Sequence, residues 1–415
     1  MQKAVAQEDH SKSVLTISKA EFMGLAAALM ALNAMAIDIM LPGLQQIGAA
    51  LGVEDPNRRQ LVVSAYVGGF GVAQLFYGPI ADRFGRRGPL LVGLAAYIVT
   101  AFACVFAPSF GLLLALRFLQ GIGAAATRVI AISAIRDIFG GRQMAEVLSM
   151  VMMVFMVIPV IAPSLGQAAM IFGSWHMIFL LMGFTSLAVT LWAMLRLPET
   201  LAPELRRSLS FSSIVQGFRY VLTDRISLCY TLATTAILGA LFGFINSAQQ
   251  IYVDIYDLGT LFPIMFAIGA GLMALSSFTN SRFVGRFGMR RLSHGALLGF
   301  LFTTGIWLAL ALLGPVPFWL FFVLFSVSMF QFGWVGTNFN AIAMEPLGHV
   351  AGTAAAVQGF IATIGSGIIG ALIGQAFDGT LRPLALGYFA LGLASLILVL
   401  IGEHGRLFRQ INPRV

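Results

Sequence analysis

The chain is 415 residues long, 59% hydrophobic and only 10% charged, whereas a soluble domain carries about a quarter charged residues. That deficit excludes an ordinary soluble domain before any motif is read. The net charge of +8 would suit a nucleic-acid partner, but the basic residues are spread over many short loops, which is a topology signal and excludes that reading.

A helix needs about 20 apolar residues to cross a bilayer. Stretches free of Asp, Glu, Lys and Arg are therefore the candidate spans. Between Glu21 and Glu54 only Asp38 interrupts, which predicts one span ending near Pro42. Gln60 to Ala81 predicts a second. Gly88 to Ile135 holds two, turning at Pro108-Ser109 and broken only by Arg117 and Arg128. Val147 to Leu195 holds two more, turning near Gly173. Ile226 to Val253 and Leu258 to Ser281 give one each. Leu292 to Met344 holds two, turning at Gly314-Pro315-Val316-Pro317, and Pro346 to Phe377 and Pro383 to Gly402 complete a set of twelve.

The expected fold is an all-α membrane protein of two related six-helix bundles. The expected organisation is a tail over 1–21, a bundle over 22–196, a polar linker over 197–225, a bundle over 226–402 and a tail over 403–415. An even number of spans places both ends on one side. With both ends inside, twenty of the 25 basic residues fall in cytoplasmic segments, and only Arg58, Arg59 and Arg382 fall outside. Basic loops mark the cytoplasm, so both termini are expected there, in an inner (plasma) membrane of bacterial type. No run resembles a cleaved signal peptide. Cys104 and Cys229 sit in apolar runs and read as small hydrophobes.

Two loops match across the halves. Ala81-Asp82-Arg83-Phe84-Gly85-Arg86-Arg87 follows span two, and Gly285-Arg286-Phe287-Gly288-Met289-Arg290-Arg291 follows span eight, their Arg-Phe-Gly cores 203 residues apart. Parallel six-helix repeats with a solute site between them are a recurrent transporter plan. The segment from Gly78 to Arg87 resembles the loop 2–3 signature of the major facilitator superfamily. Arg117 to Ala125, with Arg117, Gln120, Gly121 and Gly123 correctly spaced, resembles its span-four motif. Ala36 to Pro42, and Asn340 to Gly352, are similar to the bicyclomycin/chloramphenicol-resistance branch of drug/proton antiporters. Pro159, Pro163 and Gly166 in span five resemble the antiporter motif of that span, with Ala162 and Gln167 where glycine is usual.

Asp38 is the only acid deep inside an apolar run. An intramembrane acid faces a cavity, pairs, or binds protons. Desolvation favours a neutral acid and a nearby cation a charged one, so Asp38 reads either as an exchangeable proton site or as a static ion pair. Arg117 lies about 10 Å into span four at 1.5 Å per residue, a depth compatible with direct or water-bridged pairing to Asp38. The resemblance implies that it takes part in proton coupling; the alternative is that it caps backbone carbonyls. Arg128 is eleven residues on, about 1100° of helical rotation, and so shares a face with Arg117. It either lines a cavity, favouring neutral or anionic solutes, or snorkels to headgroups. The resemblance implies a cytoplasmic gate at Gly78, Asp82, Arg83, Gly85, Arg86 and Arg87. In the second copy Gly285 replaces the Asp, and a weaker charge relay is expected there. Asn33, Tyr66, Asn246, Gln249 and Asn338 either line a substrate cavity or bridge helices.

No phosphate-binding loop, Cys/His cluster or nucleophile elbow is present in the sequence. No cofactor or metal is therefore expected and ATP is not the energy source; the resemblance implies a proton gradient in its place. The expected protein is a secondary transporter and not an enzyme. It exports small hydrophobic compounds by proton antiport, with the substrate, protons and the lipid bilayer as its partners, and acts as a monomer. A metabolite or organic-anion carrier on the same fold is the alternative. A non-transporting receptor or scaffold is disfavoured by the short tails.

Overall fold

The structure is a computed structural model and describes residues 17–206 and 211–409. Most of the expected tail 1–21, Arg207 of the linker and the last residues of the tail 403–415 lie outside the described residues. Among those described, twelve helices are long and apolar enough to cross a membrane. They are Lys19–Ala50, Pro56–Phe84, Arg87–Val105, Phe110–Ile138, Glu146–Ile171, His176–Arg196, Arg225–Ile255, Phe262–Phe287, Met289–Leu313, Phe318–Gly348, Gly352–Gln375 and Arg382–Gly402, referred to below as spans one to twelve. Phe172 and Leu313 are 85% exposed and Phe106 80% exposed. A belt of large apolar side chains on this scale suits hydrocarbon and would be an aggregation surface in water.

Span one does not end near Pro42, as its sequence suggests. The α-helix Lys19–Asp38 gives way to a 3₁₀ turn, Leu41–Gly43, and then to a further helix, Leu44–Ala50. Pro42 lacks the N–H of the α ladder, yet in the first turn of a new helical segment that N–H has no partner to lose. Leu44 and Ile47 beyond it are fully buried, so packing carries the span through the break. Asp38 consequently lies well inside the helical run Lys19–Ala50, not one turn from its end.

The chain divides into two compact units, one of residues 1–54 with 65–211 and one of residues 55–64 with 212–415. Within the first unit, spans three and four pack closely. A side chain on Gly123 of span four would meet the Gly93 carbonyl of span three at 2.5 Å, and one on Gly121 would overlap the Tyr66 carbonyl of span two. Small residues let membrane helices approach to backbone contact, which is the structural use of the span-four glycines. Within the second unit, the linker is more than a polar connection. Its helix Phe211–Thr223 buries Val221 and sets Phe218 edge-on to Phe360 of span eleven with ring centroids 5.9 Å apart, a favourable aromatic geometry.

The first turn of span two belongs to the second unit because Asn57 is held there. Its Nδ2 donates to the carbonyls of Gln375 (3.0 Å) and Phe377 (2.8 Å). Gln250 Nε2 donates to Asn57 Oδ1 at 2.6 Å, and Gln375 Nε2 donates to the Asn57 carbonyl at 2.6 Å. Ser64 Oγ adds a bond to Asn246 Oδ1 at 3.3 Å.

Candidate coupling site and loop charge cluster

Asp38 closes the α-helical part of span one and is 4% exposed. Its Oδ1 is buried and has no hydrogen-bond partner. Gly166 of span five packs directly on the next residue, since a side chain there would overlap the Ile39 carbonyl and lie 3.1 Å from Pro42 Cγ. The span-five helix Gly141–Ile171 contains both Pro159 and Pro163, so its predicted bend region and the acid of span one are brought together.

Arg117 is fully buried, but among the described residues no ion pair joins it to Asp38. Its Nη2 donates to the Ala36 carbonyl at 2.8 Å, two residues before the acid, and its Nη1 to Gln120 Oε1 at 2.6 Å. The guanidinium carbon lies 4.5 Å from the centre of the Tyr66 ring, a cation–π distance. Tyr66 in turn donates to Asn33 Oδ1 at 2.9 Å. Arg117 thus ties span four to spans one and two through neutral groups. The backbone-capping alternative is the contact observed; the pairing with Asp38 is not among the described contacts.

Asn246 and Asn338 also bridge backbone or helices. Asn246 Nδ2 donates to the Phe242 carbonyl at 2.9 Å, and Asn338 Nδ2 to Asn280 Oδ1 and the Trp334 carbonyl, both at 2.7 Å. Gln249 is buried. Arg128 is half-buried and is taken up below.

The loop after span two forms the second cluster of the first unit. Gly85 has φ 89°, a conformation that favours glycine. A Cβ there would also overlap the Glu199 carboxylate. That turn presents two successive N–H groups to one acid: Arg86 N donates to Glu199 Oε1 at 2.8 Å and Arg87 N to Oε2 at 3.1 Å. Arg86 is 6% exposed. Its Nε and Nη2 grip Asp137 at 2.7 and 3.2 Å, and its Nη1 meets Asp82 at 2.5 Å. Burial works against its charge, but Asp137 and Asp82 outweigh that and hold the guanidinium protonated above its ordinary range. Thr200 Oγ1 completes the cluster on Asp137 Oδ2 at 3.1 Å, and Arg87 Nη2 donates to the Met194 carbonyl at 2.5 Å. Arg83 is exposed and Gly78 faces open space.

Asp137 and Glu199 are the functional candidates that motif reading misses. Each is an ordinary acid at a span end, and their partners lie 51 and 113 residues away. The second copy also differs from its expectation. Gly288 reproduces Gly85 with φ 83°. The absent Asp is replaced from elsewhere: buried Arg290 donates to Glu403 Oε1 at 2.6 Å and pairs with Glu345 Oε2 at 2.9 Å. Tyr230 also donates to Glu403 at 2.9 Å. A charge cluster therefore exists in both units, assembled from different positions.

Residues 23–371 match the profile of the Major Facilitator Superfamily. The chain is 31% identical over 365 residues to an uncharacterized MFS-type transporter, YdgK, of Bacillus subtilis, covering 86% of this chain and 89% of that one. It is 30% identical over 365 residues to the bicyclomycin resistance protein homolog of Haemophilus influenzae, covering 88% and 90%. It is also 30% identical over 387 residues to the multidrug resistance protein MdtL of Escherichia coli O139:H28, covering 91% and 95%. Among solved structures, a bacterial homolog of the human lysosomal transporter Spinster aligns with TM-score 0.67 at 16% identity, over 94% of this chain and 97% of that one. The repeated loop signature, the twelve spans and the extent of these matches agree, and the chain belongs to the major facilitator superfamily of multi-pass membrane transporters.

Proposed function

We propose that the protein is a proton-driven exporter of small, largely apolar compounds in a bacterial inner membrane, with both termini cytoplasmic. The observation that carries this reading is Asp38, a buried acid whose Oδ1 has no hydrogen-bond partner. An ionised carboxylate without partners is expensive in a spanning segment, whereas its protonated form is tolerated. Proton occupancy of Asp38 is thereby coupled to whatever exposes it to water. Protonation from outside stabilises the closed environment, and opening toward the cytoplasm releases the proton. Arg117 holds the Ala36 carbonyl two residues away, so a shift of span four is felt at the acid.

Neighbours named for bicyclomycin and multidrug resistance support drug-like solutes as the cargo. The protein acts as a monomer without a bound cofactor and without catalysis, and the clusters at Arg86 and Arg290 act as gates that form and break with the cycle. The test is efflux from proteoliposomes of the full chain under an imposed pH gradient. Asp38→Asn abolishes gradient-driven exchange while leaving solute binding; unchanged exchange by the Asn variant would sink the proton-site role.

A further inference from the structure

Of the arginines of span four, Arg136 is exposed in the last turn, and Arg128 is the one inside the span without a structural task. Arg117 is engaged by Gln120, Ala36 and Tyr66, and Arg86 already occupies Asp137. Arg128 lies in the helix Phe110–Ile138 and makes no hydrogen bond or ion pair with a described residue. It sits nine residues before Asp137, about 13 Å along the helix axis.

The helix face decides between lipid and interior. Arg117, Ala124, Ala131 and Ile135 lie within about 60° of Arg128 on a helical wheel, and all four are buried. The exposed Phe118 and Leu119 lie on other faces. Arg128 therefore shares the interior face that meets spans one and two, and does not snorkel outward from a lipid-facing position. Ala124 and Ala131, one turn to either side, are too small to cover it. A guanidinium at this depth presents five N–H donors in a planar fork. Left without a partner it is costly, and such groups mark solute pathways.

We propose that Arg128 selects the substrate by binding its anionic group, so that the exporter takes amphiphilic monoanions, above all aromatic carboxylates, in preference to their neutral counterparts. A carboxylate matches the fork with two parallel hydrogen bonds, and the half-buried Arg128 keeps part of its side chain accessible. This names the substrate class of the transporter proposed above and rests on that reading. Binding itself does not require proton coupling.

The test uses the full chain purified in detergent and follows thermal unfolding with 1-naphthoate and 1-naphthamide, which share size and ring and differ in charge. Naphthoate is expected to bind at least tenfold more tightly than naphthamide. Arg128→Gln removes that preference and Arg128→Lys retains part of it. Asp38→Asn leaves the preference intact, so a failure of proton coupling and a failure of anion selection are distinguishable. Equal or absent binding of the two probes by the unaltered protein overturns the proposal without recourse to any variant. Persistence of the preference in Arg128→Gln overturns it equally.

Discussion

Among its described contacts Arg117, a buried cation, is held by neutral acceptors and an aromatic face, and Asp38 Oδ1, a short distance along span one, has no hydrogen-bond partner. The arrangement suits an acid that must change its charge state, because a bidentate ion pair would hold it ionised. Arg117→Lys keeps the charge but loses the planar two-point contact to Gln120 and Ala36. Hydrogen bonds to charged groups are each worth about 1.5–3 kcal/mol, so a loss of stability of about 2 kcal/mol is expected in thermal or denaturant unfolding of the purified protein. Arg117 and Asp38 are both legible in the sequence as charges inside apolar runs. What each one touches is not, because the contact partner of Arg117 is a main-chain carbonyl 81 residues away.

The turn at Gly85 and the acid Glu199 form one device: a left-handed glycine aims two consecutive N–H groups at one carboxylate. Gly85→Ala both strains the backbone and overlaps Glu199. It is expected to destabilise the loop by about 1–3 kcal/mol, read as faster hydrogen exchange over residues 82–88. Asp137→Ala leaves the 6%-exposed Arg86 with Asp82 as its remaining carboxylate. Removing the sole partner of a buried charge costs about 3–5 kcal/mol; with Asp82 in place a smaller loss is expected, still larger than for Glu204→Ala, an exposed linker acid. The signature residues are visible in the sequence because the motif is local. Asp137 and Glu199 are not, because charge pairing between span ends leaves no periodic trace. The first turn of span two carries a parallel case in Asn57, whose side chain and carbonyl make four hydrogen bonds to Gln250, Gln375 and Phe377. Asn57→Ala is expected to free residues 55–64 from the second unit, seen as increased thiol labelling of a cysteine placed at Ser64.

At the scale of the whole chain, the distribution of basic residues predicts sidedness, and labelling can check it. The native Cys104 and Cys229 are buried, so background reaction with an impermeant maleimide is low. Glu54→Cys is expected to label from outside intact cells and Glu204→Cys only after permeabilisation; the reverse pattern would invert the topology. The sequence by itself determined the number of spans, the two-fold repeat, the family resemblance and the acid and arginines that interrupt the apolar runs. All of these depend on hydropathy over about 20 residues or on contiguous motifs. Only the tertiary structure decided that span one continues past Pro42, that Arg117 holds a carbonyl, that Asp137, Glu199, Glu345 and Glu403 complete the charge clusters, and that Arg128 stays uncommitted on a buried face. Each of those depends on helix rotation and on contacts between distant segments, and a uniformly apolar run encodes neither in its periodicity.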